Sequence, residues 1–199
     1  DFGADIVVYS ATKHIDGQGR CLGGVILGDE GFIQDELANF LRQTGPSLSP
    51  FNAWVMLKSL ETLALRVNAH CDNTEKLVDF LVDHSQVERV YYPGHANHPQ
   101  HNLAMAQMTR GGNLIAFDIK GGKEKAFEFT NALNIALISN NLGDAKTLIT
   151  HPATTTHFKL DDATKAELDI TGGTLRVSIG LEDGDDLVHD FDQALAKLA

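Results

Sequence analysis

The sequence predicts an α/β chain that ends in an α+β domain, with helices packed on a mainly antiparallel sheet. Three observations lead there. Short apolar runs, Ile6–Val8, Gly24–Leu27 and Leu114–Ile119, have strand length, and glycine pairs bound the last of them. Two stretches, Glu30–Arg42 and Phe51–Val82, repeat apolar residues at helical spacing. Beyond them, short strand-like and helix-like patterns follow one another to the end of the chain.

Ile6-Val7-Val8 reads as a buried strand, and Gly24–Leu27 as a second. Between them lies a loop that carries Lys13. Ile33, Leu37, Phe40 and Leu41 give Glu30–Arg42 one apolar helical face, and Gly45-Pro46 stops it. Ser49 followed by Pro50 is a cap residue and a first-turn proline, so a helix starts there. Phe51 to about Val82 is long for one globular helix, and a bend is expected near Arg66. Val87–Tyr92 reads as a strand, Pro93-Gly94 as a turn and Gln100–Met108 as a short helix. Leu114–Ile119 is a strand and Glu124–Leu133 a helix. Ala136–Ile138 and Lys146–Ile149 are short strands, and Thr174–Ile179 is another. Asp185–Leu198 closes the chain as a helix, with acids in its first turn where they complement the helix dipole. There is no internal repeat and no low-complexity linker.

The 199 residues suffice for one large or two small domains, and 43% apolar composition supplies a core and excludes disorder. A net charge of −11 argues against nucleic acid or an anionic membrane as partner, since both need basic patches. Cys21 and Cys71 are too few for a disulfide scaffold and read as reduced, partly buried thiols. No apolar run reaches membrane-spanning length, and Asp1-Phe2-Gly3-Ala4-Asp5 has no signal-like core. These features predict a soluble cytoplasmic protein. An anionic cofactor or substrate would need local positive charge, and Lys13 and Arg176 are candidates for it.

Tyr9-Ser10-Ala11-Thr12-Lys13-His14-Ile15-Asp16-Gly17 carries the chemistry. A lysine amine just past a strand can bond covalently to a carbonyl cofactor. Ser10 and Thr12, at alternate positions before it, can donate hydrogen bonds to a phosphate. Pyridoxal phosphate (PLP) has both groups. The plainer reading, a solvated loop lysine, stays open on spacing alone. In Leu175-Arg176-Val177-Ser178-Ile179, alternation puts Leu175, Val177 and Ile179 on one face and Arg176 and Ser178 on the other. Arg176 is then either a solvated outer-face residue or a buried anion clamp.

Other patterns fail on physical grounds. Gly17-Gln18-Gly19-Arg20 with Gly23-Gly24 is followed by a strand, whereas a dinucleotide loop needs a helix N-terminus beneath the phosphate. Those glycines are better explained as turns. His95, His98 and His101 are split by Pro99 and lack a supporting Cys or carboxylate cluster, so no metal site is expected. Glu182-Asp183-Gly184-Asp185-Asp186 reads as a solvated, helix-capping loop and not a calcium site.

Gly3 to Lys13, followed by Gly17 and Leu22-Gly23-Gly24, resembles the PLP-lysine segment of the Cys/Met-metabolism enzymes. Three later stretches agree in order and spacing. They are His98-Pro99-Gln100-His101, then Asn141-Leu142-Gly143-Asp144-Ala145 with His151-Pro152-Ala153, and Leu175 to Asp183. The resemblance covers essentially the whole chain. Ile15-Asp16-Gly17-Gln18-Gly19-Arg20, Ser139-Asn140-Asn141-Leu142-Gly143 and Thr154-Thr155-Thr156-His157 are most similar to the branch that joins sulfide to O-succinylhomoserine.

The resemblance implies a PLP-dependent transferase of fold type I, aspartate-aminotransferase-like. Residues 1–65 would be the end of its large PLP-binding domain, and residues 66–199 its small α+β domain. It implies γ-replacement giving homocysteine, a step of methionine biosynthesis. The cystathionine γ-synthase, methionine γ-lyase and O-acetylhomoserine branches stay open. Lys13 would be the catalytic, PLP-bearing residue, with Ser10 and Thr12 at the phosphate. Arg176 and Asn141 would hold the substrate's α-carboxylate. Asn141 stands where the family often has serine, and Lys146 where many cystathionine-handling members carry glutamate. A lysine there would repel a distal ammonium and tolerate an anionic ester arm, or it points to water. Family members are about twice as long, so the chain is expected to be a C-terminal portion. Its partners would be the missing N-terminal half or a second chain, within a homo-oligomer, a tetramer by resemblance. Alone, it would be an inactive packing and oligomerisation fragment.

Overall fold

In the computed structural model, which describes residues 2–198, the chain divides into two units, Asp1–Ala64 and Leu65–Ala199. The first is built on a two-stranded antiparallel sheet, β1 (Val7–Ser10) against β2 (Gly24–Leu27), with Val8 opposite Ile26. The strand expected at Ile6–Val8 starts one residue later and runs to Ser10. It is also not buried: Val8 is 71% and Tyr9 54% exposed. Among the described residues this sheet has no third strand, so nothing completes the cover that an apolar run requires.

After β2 a π-helical segment (Phe32–Leu37) leads into α1 (Ala38–Thr44), which ends on Gly45 in the left-handed region. Helix α2 (Pro50–Leu60) starts where the cap signal places it, and the Ser49 hydroxyl accepts from Asn52 N at 3.1 Å. The long periodic stretch breaks at Glu61–Thr62, before α3 (Leu63–Val82), and not at the expected bend near Arg66. Thr62 turns both its N–H and its hydroxyl onto the Ser59 carbonyl, which tightens the last turn of α2 and ends it.

The second unit is a five-stranded sheet with helices on it. In chain order follow β3 (Val87–Tyr91), α4 (His101–Gln107), β4 (Leu114–Ile119), α5 (Gly122–Ala132), β5 (Leu137–Ile138), β6 (Leu148–Thr150), α6 (Asp162–Glu167), β7 (Thr174–Ser178) and α7 (Gly184–Ala196). The strand order is β3-β4-β7-β6-β5, antiparallel except for the β5–β6 pair. Ile115, Phe117 and Ile119 of β4 and Leu175 and Val177 of β7 point to one face. There they meet Leu77 and Leu81 of α3, Phe129 of α5, and Leu187 and Phe191 of α7. Phe129 packs edge-on against Phe117 at 5.9 Å and Phe191 at 5.5 Å. Each large side chain fully buried here contributes roughly 1.5–3 kcal/mol.

Alternation sends Tyr91, Ala116, Asp118, Thr174, Arg176 and Ser178 to the opposite face. Register aligns Tyr91, Ala116, Arg176 and Thr150 in one row across four strands. Helix α6 has no counterpart among the expected elements. It is short and lacks an apolar period, and its signal is the cap, with Asp161 Oδ1 accepting from Thr164 N at 2.8 Å.

Candidate active site

Lys13 sits in a tight arch directly after β1. Its N–H donates to Ser10 O at 3.2 Å, Asp16 N to Ala11 O at 2.8 Å, and Gly17 N to Lys13 O at 2.7 Å. Gly17 and Gly19 take φ of 69° and 64°, the left-handed turns expected of that glycine run. The arch is pinned on two sides. Thr12 Oγ1 accepts from Gly23 N at 3.0 Å and donates to Gly23 O at 3.4 Å. Asp16, 1% exposed, accepts from Arg20 N at 2.6 Å and Nε at 3.0 Å. Arg20 Nη2 continues to Asp16 O at 2.8 Å and to Ser59 Oγ on α2 at 2.6 Å. Burial pushes the Asp16 carboxyl up, but the Arg20 hydrogen bonds and charge outweigh it and hold the group below its ordinary value. Cys21 is a free thiol, pushed up by burial and then by the neighbouring Asp16 carboxylate.

Ser10, Thr12 and Lys13 therefore stand together on one arch in the first unit. Lys13 is half-buried and Ser10 exposed. Thr12 keeps its acceptor bond to Gly23 N, and its proton rests only on the longer bond to Gly23 O. An amine beside an exposed hydroxyl and a second, loosely engaged one fits PLP, whose aldehyde takes the amine and whose phosphate takes hydroxyl donors.

Asn141 and Arg176 come together in the second unit. Arg176 Nη2 donates to Asn140 O at 2.9 Å and Asn141 O at 3.2 Å. Its Nε is buried, with no hydrogen-bond partner among the described residues. Burial lowers the pKa of this guanidinium. Arg176 lines a depression of about 250 Å³ with Tyr91, His157, Asp169 and Thr174. The contact from Asn141 to Arg176 runs through its main-chain carbonyl, where the sequence pointed to its side-chain amide. Lys146 is exposed, and its N–H caps Asp144 Oδ1 at 3.0 Å.

Glu182 departs from the solvated loop expected for the acidic run. Its carboxylate is spent on Thr147, taking N at 2.7 Å and Oγ1 at 2.8 Å. Asp183 does cap α7, accepting from Asp185 N and Asp186 N. His95 and His98 each turn Nδ1 onto a local N–H, of Asn97 and Gln100, and no metal-holding cluster occurs among the described residues.

Several residues that hydrogen-bond around these turns escaped the sequence reading. Asp16 and Arg20 had one signal, opposite charges four apart. Ser178 had another, its place on the Arg176 face of the same strand. Ser59, 39 residues from Arg20, had none.

The profile of the Cys/Met metabolism PLP-dependent enzymes matches residues 1–196. The O-succinylhomoserine sulfhydrylase of Mycobacterium tuberculosis is 48% identical over 98% of this chain and 49% of its own length. The crystal structure of cystathionine gamma synthase from Xanthomonas oryzae pv. oryzae, in complex with aminoacrylate and cysteine, superposes with a TM-score of 0.94. It is 34% identical over 100% of this chain and 51% of that one. An O-acetylhomoserine (thiol)-lyase from Campylobacter jejuni, which carries a pyridoxyl-lysine phosphate, superposes with a TM-score of 0.90. It is 34% identical over 98% of this chain and 54% of that one. The chain spans about half the length of the curated relatives it matches. Its fold is that of the PLP-dependent type I enzymes. With the profile covering nearly every residue, this chain belongs to the Cys/Met metabolism PLP-dependent enzyme family.

Proposed function

We propose that this chain is the C-terminal part of a PLP-dependent enzyme that converts O-succinylhomoserine and sulfide into homocysteine and succinate. The observation that carries the amino-acid site is Arg176: a partly buried guanidinium, fixed at Nη2, whose buried Nε has no acceptor among the described residues. Such a group suits an α-carboxylate, which a guanidinium binds through paired hydrogen bonds. The choice of branch rests on 48% identity to a sulfhydrylase, against 41% to an L-methionine gamma-lyase and 34% to the cystathionine synthase and to the O-acetylhomoserine lyase.

PLP, when bound, supplies an electron sink for charge developing at the substrate's α-carbon. The chain's own residues supply the rest. Lys13 would hold the cofactor through its amine and would move protons at the substrate's Cα and Cβ. Ser10 and Thr12 anchor the phosphate. Arg176, with the turn at Asn141, fixes the carboxylate and so orients the bonds to be broken. Residues 1–65 serve as the end of the large domain and residues 66–199 as the small one. The remaining half of the fold completes the site, within a cytoplasmic homotetramer.

The exposed apolar strand β1 favours a second reading, in which the 199 residues alone pack against that remaining half and catalyse nothing. The chain alone should be inactive under either reading, so a longer protein carrying it supplies the test of the enzyme reading. The longer protein should turn yellow with PLP and release homocysteine from O-succinylhomoserine and sulfide. Preference for O-acetylhomoserine, cysteine or methionine would move the assignment to another branch.

A further inference from the structure

We propose that Ser178 is a positioning residue for Arg176 and acts through the turn 140–143. The inference rests on the reading of Arg176 as the carboxylate site. Arg176 and Ser178 lie two apart on β7 and face the same side of the sheet. Both hold one turn. Arg176 Nη2 donates to the carbonyls of Asn140 and Asn141 at its start. Ser178 Oγ accepts from Gly143 N at its end, at 2.9 Å.

The clasp has no slack. Ser178 is 0% exposed and Gly143 is buried, so water cannot replace this bond. Gly143 has φ of 72°, which fixes the chain reversal that returns the turn to β7. Asn113 Nδ2 reaches Ser178 Oγ at 3.4 Å and Ile179 O at 2.9 Å, tying the hydroxyl to β7. Downstream, Glu182 holds Thr147, and Thr147 Oγ1 accepts from Gly180 N at 2.8 Å. The turn is thereby fastened to the same strand segment that carries the guanidinium. Its two carbonyls set the plane of Arg176 and leave its buried Nε without an acceptor among the described residues. With the Gly143 anchor cut, the carbonyls can drift and the guanidinium loses its orientation while keeping its charge.

The test uses a longer PLP-loaded protein carrying this chain and two probes, L-2-aminobutyrate and its carboxamide, titrated by visible absorbance. Ser178→Ala should weaken aminobutyrate binding about tenfold, the scale of one buried N–H left without an acceptor, and leave the carboxamide nearly unchanged. Ser178→Thr keeps the hydroxyl and should restore the preference for the carboxylate. Ser178→Cys fills the same space with a poor acceptor and gives the same readout if the alanine variant does not fold. Equal losses for both probes, or none, would overturn the proposal. Arg176→Lys serves as the reference. If it leaves aminobutyrate binding intact, the carboxylate reading itself fails; if it weakens binding and the Ser178 variants do not, only the positioning role fails.

Discussion

The carboxylate of Asp16 and the guanidinium of Arg20 close the arch on which Lys13 stands: Oδ2 accepts Arg20 N at 2.6 Å and Oδ1 accepts Nε at 3.0 Å. Asp16 is buried while 42% of the Arg20 side chain meets solvent. Losing Asp16 strands its donors, but Arg20 can turn to water. Asp16→Ala should therefore cost about 1–3 kcal/mol and loosen the Lys13 arch. Urea unfolding together with PLP affinity would measure both.

The same pair gives a pH prediction. The folded carboxyl titrates below its ordinary value of 3.8, despite burial, because Arg20 stabilises the charged form. The unfolded chain thus binds the proton first. The stabilisation is complete well above 3.8 and is lost as pH falls towards and through the folded value. The gap in unfolding midpoint between wild type and Asp16→Asn should stay level down to about pH 5 and shrink below it. A gap that persists unchanged to about pH 3 would remove Asp16 from this role.

Lys13 carries a covalent prediction. Borohydride treatment of a PLP-loaded longer protein should fix pyridoxyl to the peptide containing Lys13. Lys13→Ala should leave nothing fixed. Label recovered on any other lysine would sink the assignment.

What the sequence conveyed followed the range of the interactions involved. Leu114–Ile119 was legible residue for residue, because alternation and flanking glycines are local. The split of β7 into a core face and an Arg176 face was legible for the same reason. The break at Glu61–Thr62 was not, since it comes from Thr62 bonding back to Ser59 inside an unbroken apolar period. The burial expected of Ile6–Val8 failed because an apolar run states a preference for cover without supplying it. At the site, Lys13 and Arg176 stood out as residue types in telling places. Ser59, Glu182 and Asp190 did not, because their partners lie 39, 35 and about 55 residues away and follow no repeat.

Asp190 illustrates that last class and is testable. It is 3% exposed, and its carboxylate accepts the N–H groups of Asn134, Ile135 and Ala136, where the chain leaves α5. Asp190→Ala leaves these donors without an acceptor and should destabilise the second unit by about 3 kcal/mol. Hydrogen exchange at the amides of Asn134 to Ala136 should accelerate well before exchange in β4. Unchanged protection would show that something other than the Asp190 carboxylate holds these amides.

For Arg176, changing to lysine keeps the charge and loses the planar fork. KM for the amino-acid substrate should rise, with kcat/KM falling by about 2–5 kcal/mol in transition-state terms if the carboxylate is desolvated there. PLP content should stay close to wild type, because Arg176 is not assigned to the cofactor. An unchanged KM would return Arg176 to the status of an outer-face residue that merely braces the turn at Asn140 and Asn141.

Lys146 is expected to bias the choice of nucleophile. Its side chain is exposed, next to the turn that Arg176 braces. An approaching cysteine brings an ammonium that a lysine repels, whereas sulfide brings none. The longer protein should therefore use sulfide better than cysteine. Lys146→Glu should shift the ratio of kcat/KM values toward cysteine. Exposure limits the effect: a contact between charges in high dielectric is worth about 1 kcal/mol, so the shift should be about fivefold. It should also shrink as salt is raised, because an exposed charge acts through screened solvent. A ratio that moves but ignores salt would implicate a change of shape in place of charge. A ratio that does not move would place Lys146 in water, away from the nucleophile's path, and leave the preference for sulfide to be set elsewhere in the site.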